Sequence, residues 1–384
     1  MDLLELEARL IEFDTTSFRS NLEMVDFLHG VLKNLGMEVG TVASAEGQKA
    51  NLFASLGPRD RGGLMLAGHM DVVPVEGQLW HTDPFKLIQA EGRFYGRGTA
   101  DMKSFMAQAI LAAEAVRHRK LKLPLQLAFT YDEEVGCHGA RRLMAEWPAT
   151  AQPLPKCAVI GEPTNFQVFR LHKGFCSARV TVKGVEGHSA KPGLGANAIY
   201  PAARVVNKLA EVAAERAAVR DMEDLFEVPH TTINVGTIKG GTALNIIPNR
   251  CEVLFEYRTM PGQDSAFVLN QVRGFVDEVV LPEFSEHHPD VEILVEETGH
   301  GDPMVTPAGS WIETVALELT ENRSSGAAPY YTEGAIYNQA GIPTVICGPG
   351  DIDQAHRPNE YITRAQLDAG LPLLGRLIER VCLT

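Results

Sequence analysis

Apolar positions along this chain fall into short runs that stop at residues able to hold a divalent metal. Leu64 to Gly68 stops at His69, Leu125 to Tyr131 at Asp132-Glu133-Glu134, and Ala158 to Gly161 at Glu162. Pro343 to Cys347 leads through Gly348-Pro349-Gly350 to His356, and the turn Gly96 to Ala100 ends on Asp101. Continuous apolar runs of this length read as strands buried on both faces. In open α/β sheets ligands bind beyond the carboxyl ends of the strands, so groups from distant positions converge on one crevice.

Between these runs the period lengthens to that of helices. Residues 1 to about 36 read as helix broken at Asp14-Thr15-Thr16-Ser17, with a C-cap at Gly36. Asn51 to Leu56 adds a strand, Met102 to Arg117 a helix, and Gly139 to Trp147 another. The alternation predicts an α/β domain built on a mostly parallel sheet.

From Phe175 the order changes to strand (Cys176 to Val182), helix (Asn197 to Val219), two strands (Thr232 to Ile238, Cys251 to Tyr257), helix (Ser265 to Val280) and strand (Val291 to Glu296). This β-α-β-β-α-β order is ferredoxin-like. Ile199, Ala202, Val206, Leu209 and Ala213 form the single stripe that a helix packed on one sheet face requires. The α/β pattern resumes with a helix at Trp311 to Leu319, a strand at Pro343 to Cys347 and a helix around Gln366 to Val381. The expected division is residues 1–174 with 299–384, interrupted by an inserted domain at 175–298.

Composition narrows the function. A chain of 384 residues with 45% hydrophobic and 22% charged residues is that of a globular protein of two domains. The net charge of −14 would repel a phosphate backbone, so nucleic acid is not an expected partner. No apolar run reaches membrane-spanning length, and Met1-Asp2-Leu3-Leu4-Glu5 opens acidic and helical, which reads as cytoplasmic. Six cysteines lie scattered without a Cys-x-x-Cys pair, so reduced thiols are expected, and a metal would be held by imidazoles and carboxylates.

Each candidate has a plain structural alternative. His69 and Asp71 are spaced for a metal ligand whose second ring nitrogen is held by a carboxylate, although one His-x-Asp arises readily by chance. Asp101 opens a helix, where a carboxylate serves equally as a cap or as a bridge between two cations. Three adjacent acids at 132–134 would repel one another unless metal charge relieved them, or unless they formed a solvated loop. At an irregular turn neighbouring side chains can diverge, so Glu134 can ligate while Glu133 faces a substrate as general base. Glu162 and His356 are weak signals singly. Together the set supplies three carboxylates and two imidazoles, enough for two Zn²⁺ sites sharing a bridging group.

At these residues the chain resembles the zinc-dependent aminoacylase, carboxypeptidase and deacetylase family, and within it most closely the acetylornithine deacetylases. The resemblance runs nearly full length. It is carried by Gly68-His69-Met70-Asp71-Val72-Val73-Pro74, Tyr95 to Lys103, Asp132-Glu133-Glu134-Val135-Gly136 and Gly161-Glu162-Pro163-Thr164. It continues through Gly187-His188-Ser189-Ala190, Asn245-Ile246-Ile247-Pro248, Tyr331-Thr332-Glu333-Gly334 and Gly348 to His356.

The resemblance implies that His69 and Glu162 bind one metal, Glu134 and His356 the other, that Asp101 bridges them, and that Glu133 is the base. Cobalt could stand in for zinc. It further implies a lid at the inserted domain, a homodimer formed through it, an oxyanion role for His188 reaching into the partner subunit's site, and substrate contacts from Asn245 and Arg258. A guanidinium at Arg258 suits an α-carboxylate. The implied reaction releases an acyl group from an N-acyl-α-amino acid, N²-acetylornithine foremost. A succinyl-diaminopimelate desuccinylase, a dipeptidase or a carboxypeptidase would share the chemistry. A non-catalytic binding protein on this fold would be expected to lose the base or a ligand, and all are present. Met70, Ser104 and His138 depart from the family's usual residues, and none is a ligand.

Overall fold

A computed structural model describes residues 1–220, 222, 224–286, 288 and 291–383. Capping decides where the first helix starts: Asp2 and Glu5 form a reciprocal capping box on α1 (Leu3–Glu12). The polar break separates it from α2 (Leu22–Asn34), which ends at Gly36 with φ 82°, a left-handed position that suits glycine. Strands β1 (Glu38–Ala43), β2 (Ala50–Leu56) and β3 (Leu64–His69) follow, then the short hairpin β4 (Ile88–Ala90) and β5 (Arg93–Tyr95). Helix α3 (Lys103–Val116), β6 (Leu125–Thr130), α4 (His138–Glu146), β7 (Cys157–Pro163) and β8 (Phe169–His172) complete the first run.

The chain then builds a second compact unit. It holds β9 (Phe175–Lys183), β10 (Gly187–His188), α5 (Ile199–Ala217), β11 (Thr232–Gly240), β12 (Ile246–Ile247) and β13 (Arg250–Arg258), and then α6 (Phe267–Phe275), α7 (Leu281–Ser285) and β14 (Glu292–Gly301). The return to the first unit runs through β15 (Met304–Val305), α8 (Trp311–Thr320), β16 (Gly326–Ala328), α9 (Gly334–Gln339), β17 (Thr344–Gly348), β18 (Tyr361–Thr363) and α10 (Arg364–Ile378).

The first unit comprises Met1–Leu171, Met304–Gly326 and Thr332–Thr384, and the second His172–Pro303 with Ala327–Tyr331. These limits differ by a few residues from those drawn at 175 and 299. The reason is local: β14 keeps its pairing to β9 as far as Gly301, beyond the last apolar residue of the run, so the strand and its unit end later than hydrophobicity indicates. The segment Ala327–Tyr331 gives no sequence sign of belonging to the second unit, although Lys173 N donates to Ala328 O at 3.2 Å.

The main sheet runs β1-β2-β6-β3-β7-β17-β8-β15. Its parallel part is the four central strands: β3 pairs parallel with both β6 and β7, and β17 pairs parallel with β7. The flanks, β1 on β2, β2 on β6 and β8 on β17, are antiparallel. All residues of β3, β6, β7 and β17 are buried, as strands covered on both faces require. Helix α3 lies close enough to β7 that a Cβ at Gly161 would come within 1.9 Å of the Phe105 ring, so only glycine fits there.

The second unit has a four-stranded antiparallel sheet in the order β11-β13-β9-β14, with the chain order β-α-β-β-α-β. Its core joins Val180, Val182, Val253 and Phe255 of the sheet to Ala202, Val205, Leu209 and Val272 of the helices. The helix expected at Ser265 to Val280 is α6, continued by a wider turn at Val276–Val280 into α7. The six cysteines are free and buried. Among the described residues no helix is long and apolar enough to cross a membrane.

Candidate active site

Four adjacent parallel strands each deliver at least one acidic or imidazole group at or beyond the carboxyl end. β6 leads to Glu133 and Glu134, β3 ends on His69, β7 carries Glu162, and β17 leads to His356. Asp101 enters from the turn before α3. Its two oxygens face different imidazoles: Oδ1 lies 2.9 Å from His69 Nε2, and Oδ2 lies 3.4 Å from His356 Nε2. His69 Nε2 is also 3.8 Å from Glu162 Oε1, and His356 Nε2 is 2.9 Å from Glu134 Oε2. Each imidazole therefore has its own glutamate, and Asp101 lies between them.

Charge explains why these groups suit metal ions. Four carboxylates (Asp101, Glu133, Glu134 and Glu162) share the crevice with two imidazoles, a surplus of negative charge in a place that is buried at Asp101, Glu162 and His69 and half-buried at Glu133 and Glu134. Burial, reinforced by repulsion from neighbouring carboxylates, pushes Glu133 and Glu162 well above the ordinary carboxyl range. The same causes raise Glu134 to about 6. Burial also acts upward on Asp101, but hydrogen bonds from His356 and His69 outweigh it and hold that carboxyl below its usual range. His356 is raised to about 11 by Asp101 and Glu134. The nitrogen and carboxylate donors suit Zn²⁺ or Co²⁺, and the sets His69-Asp101-Glu134 and His69-Glu133-Glu162 each bring their donor atoms within 4.8 Å of one another.

Glu133 and Glu134 differ in their second contacts. Glu134 reaches His356, whereas Glu133 Oε1 lies 3.5 Å from the Cys137 thiol. Both backbone amides donate to Asp71, Glu133 N to Oδ1 at 3.0 Å and Glu134 N to Oδ2 at 3.3 Å. This corrects the expectation for Asp71. Its carboxylate is 3.7 Å from His69 Nδ1, and that ring nitrogen instead meets the Asp71 carbonyl at 2.8 Å. The carbonyl fixes the imidazole, while the carboxylate, which also accepts from Ser17 Oγ at 2.8 Å, fixes the loop carrying Glu133 and Glu134.

Two buried carboxylates that were not among the candidate site residues support the site. Glu360 Oε1 accepts from the backbone amides of Gly98, Ala100 and Asp101 at 3.1, 2.9 and 3.1 Å, and so shapes the turn that presents Asp101. Its other oxygen takes Arg97 Nη1 at 2.6 Å in an ion pair with both side chains 1% exposed. Gly98 has φ 90° in this turn, which a side chain would resist. Glu333 is the second. It lies under the site, bonded to Thr130 Oγ1 and to Tyr337 Oη at 3.0 Å, and burial raises it to about 7. The sequence signal for Glu360 was its place four residues after His356, in Pro358-Asn359-Glu360.

His188, Asn245 and Arg258 belong to the second unit. His188 is exposed on β10, its Nδ1 accepting from Ala190 N at 3.0 Å, and Asn245 is exposed beside β12, its carbonyl accepting from Ser189 N at 3.1 Å. Arg258 ends β13 half-buried, with Nη2 2.9 Å from Glu256 Oε2. Of the three residues that depart from the family, Met70 is fully buried and His138 lies exposed at the start of α4. Ser104 Oγ sits 2.5 Å from both Glu7 Oε1 and Thr99 O. One hydroxyl proton cannot serve both acceptors, so a protonated Glu7 completes the arrangement, in line with burial raising Glu7 to about 7.

A parallel core that gathers imidazoles and carboxylates at its strand ends defines a metal-dependent hydrolase. The chain belongs to the peptidase family M20/M25/M40, whose model matches residues 65–380. It is 35% identical over 378 residues to an acetylornithine deacetylase from Myxococcus xanthus, a match covering 97% of this chain and 96% of that protein. The fold is similar to that of an M20 family metallo-carboxypeptidase from Sulfolobus solfataricus, with TM-score 0.79, 18% identity and coverage of 99% of both chains. A dinuclear metal binding peptidase of the same family from Bacillus subtilis superposes with TM-score 0.69 at 16% identity, over 98% of each chain.

Proposed function

We propose that the protein is a two-metal amidohydrolase that removes the acyl group from N-acyl-α-amino acids, with N²-acetylornithine, giving ornithine and acetate, as its foremost substrate. The observation that carries this reading is Asp101, whose two oxygens face His69 and His356 separately. His69 and Glu162 would hold one ion, His356 and Glu134 the other, with Asp101 shared. Two divalent cations, zinc or cobalt, would supply Lewis acidity toward the amide carbonyl and lower the pKa of water.

The chain's own residues do the rest. Glu133, half-buried and raised by its surroundings, takes a proton from the attacking water onto its carboxylate and passes it to the departing amine nitrogen. Asp71 holds the loop in which Glu133 sits. Arg258 pairs with the substrate's α-carboxylate, Asn245 adds a polar contact, and His188 reaches across the dimer to donate to the oxyanion developing in the partner subunit's site. The acetyl group and the ornithine side chain are supported by the likeness to the Myxococcus xanthus acetylornithine deacetylase, and a place in arginine biosynthesis in the cytoplasm is part of the same proposal.

The second unit serves in this proposal as lid and dimerisation domain. An exposed edge supports the dimer: β11 borders its sheet, and Tyr200, Ile238 and Leu244 are 70%, 52% and 101% exposed. The carboxypeptidase fold match favours one competing reading, hydrolysis of unblocked peptides by the same chemistry. Acetylated amino acids, N-succinyl-diaminopimelate and dipeptides assayed at equal subsaturating concentration rank kcat/KM directly. Acetylornithine is expected to lead. A tenfold advantage for the succinyl or dipeptide substrates would overturn the deacetylase assignment.

A further inference from the structure

The two imidazoles of the site are held in unlike ways. His69 ends a fully buried strand, is 1% exposed, and has its Nδ1 fixed by the Asp71 carbonyl. His356 lies in irregular chain between β17 and β18, its side chain 54% exposed. Among the described residues no partner fixes its second ring nitrogen. Its φ of 62° puts a non-glycine residue in the left-handed region, which costs about 1 kcal/mol or more. Something outside its own segment must hold it there.

That hold comes from the segment between β3 and β4. Gln78 Nε2 donates to the His356 carbonyl at 2.9 Å. The amide cannot be reversed, because Gln78 Oε1 accepts from Arg97 Nη2 at 2.6 Å and from Trp80 Nε1 at 3.0 Å. Arg97 in turn is fixed by its buried pair with Glu360, the residue that shapes the Asp101 turn. Around this link, His81 N donates to Asn359 Oδ1 at 2.8 Å, and Asn359, also left-handed at φ 60°, donates back to Leu79 O at 3.4 Å.

We propose that Gln78 is a positioning residue for His356, so that one metal position of the pair depends on it and the other does not. The inference rests on the two-metal reading above. Capturing the carbonyl fixes the peptide plane that follows His356, and with it the direction in which the ring leaves the backbone. Ring Nε2 then falls between Glu134 and Asp101 Oδ2. Without the amide, the exposed segment relaxes toward ordinary backbone angles and the ring swings away from both carboxylates. His69 and Glu162, built on strands, are untouched.

Calorimetric titration of metal-stripped protein with Co²⁺ reads the effect without reference to activity. The unsubstituted protein should take two ions per chain. In Gln78→Ala one binding step should weaken by about 10–100-fold, the range for losing a group that orients a ligand, and the other should stay within about threefold. Gln78→Glu keeps the acceptor toward Arg97 and Trp80 while removing the donor to His356, and it should show the same selective loss even if the alanine variant folds poorly. Two unchanged steps in Gln78→Glu, or equal weakening of both, would overturn the proposal. Fewer than two ions bound by the unsubstituted protein would instead overturn the two-metal reading itself.

Discussion

The two compact units place their polar chemistry in opposite environments. In the first, Asp101, Glu162 and His69 are buried at the ends of a fully buried, mostly apolar parallel core, and their proton affinities are distorted by desolvation and by one another. In the second, His188 and Asn245 are exposed, Arg258 is half-buried, and the flanking β11 is largely open. Buried charge is expensive unless it is paired or meets a metal, so the first unit must be organised around its site. The second is stabilised by an apolar core to which these polar residues do not belong. Substitutions in the first unit should therefore couple function to metal binding or stability, and those in the second should separate them.

The largest expected effect is that of Glu133→Gln. It removes the proton acceptor while keeping the shape, and turnover should fall by about 10²–10⁴-fold with metal content unchanged. Elemental analysis beside the kinetics checks this. Loss of an ion in the variant would make Glu133 a ligand and exchange its role with Glu134.

Next comes Glu360→Ala, which strands Arg97 in a place where both partners are 1% exposed. Breaking such a pair costs about 3–5 kcal/mol, and denaturant unfolding should register it. A change under about 1 kcal/mol would mean that the Asp101 turn is held by other contacts.

Glu7 offers a pH signature. Its carboxyl is raised from 4.5 to about 7, by burial above all, against the hydrogen bond from Ser104. The folded state therefore keeps a proton that the unfolded state has lost, and stability declines as pH rises from about 4.5 to 7, by up to about 3 kcal/mol. Glu7→Gln carries no such proton, so its stability relative to the unsubstituted protein should improve between pH 5 and pH 8. Parallel pH profiles for the two proteins would contradict the buried, protonated state.

The smallest effect on the fold belongs to Arg258→Ala. The guanidinium pairs with the partly exposed Glu256 and lies 5.8 Å from the centre of the Phe175 ring, both weak surface contacts, so stability should stay within about 0.5 kcal/mol. If it binds the α-carboxylate, kcat/KM should fall by about 10–100-fold, with both metals retained. A melting shift as large as that of Glu360→Ala would blur the contrast between the units.

Much of this was legible in the sequence because burial is periodic. The apolar runs at 64–68, 125–131 and 343–347 fall on β3, β6 and β17, and each leads to a site group. Strands with little buried apolar content left no such trace: β1 has no fully buried residue, and the hairpin β4-β5 is three residues a side. The same limit applies to the site. His69 and Glu162 stand at visible strand ends, whereas the supporting acts of Glu360 and Gln78 depend on contacts across 259 and 278 residues. Asp71 shows the limit most plainly, since spacing alone could not tell its carbonyl from its carboxylate.

The central claim is that Asp101 stands between two metal positions. A crystal structure of zinc-loaded protein, with anomalous scattering recorded at the zinc edge, tests it most directly. The account predicts two peaks about 3.5–4 Å apart, one beside His69 and Glu162 and one beside His356 and Glu134, each touching a different Asp101 oxygen. A single peak, or two peaks of which either lies away from Asp101, would contradict it.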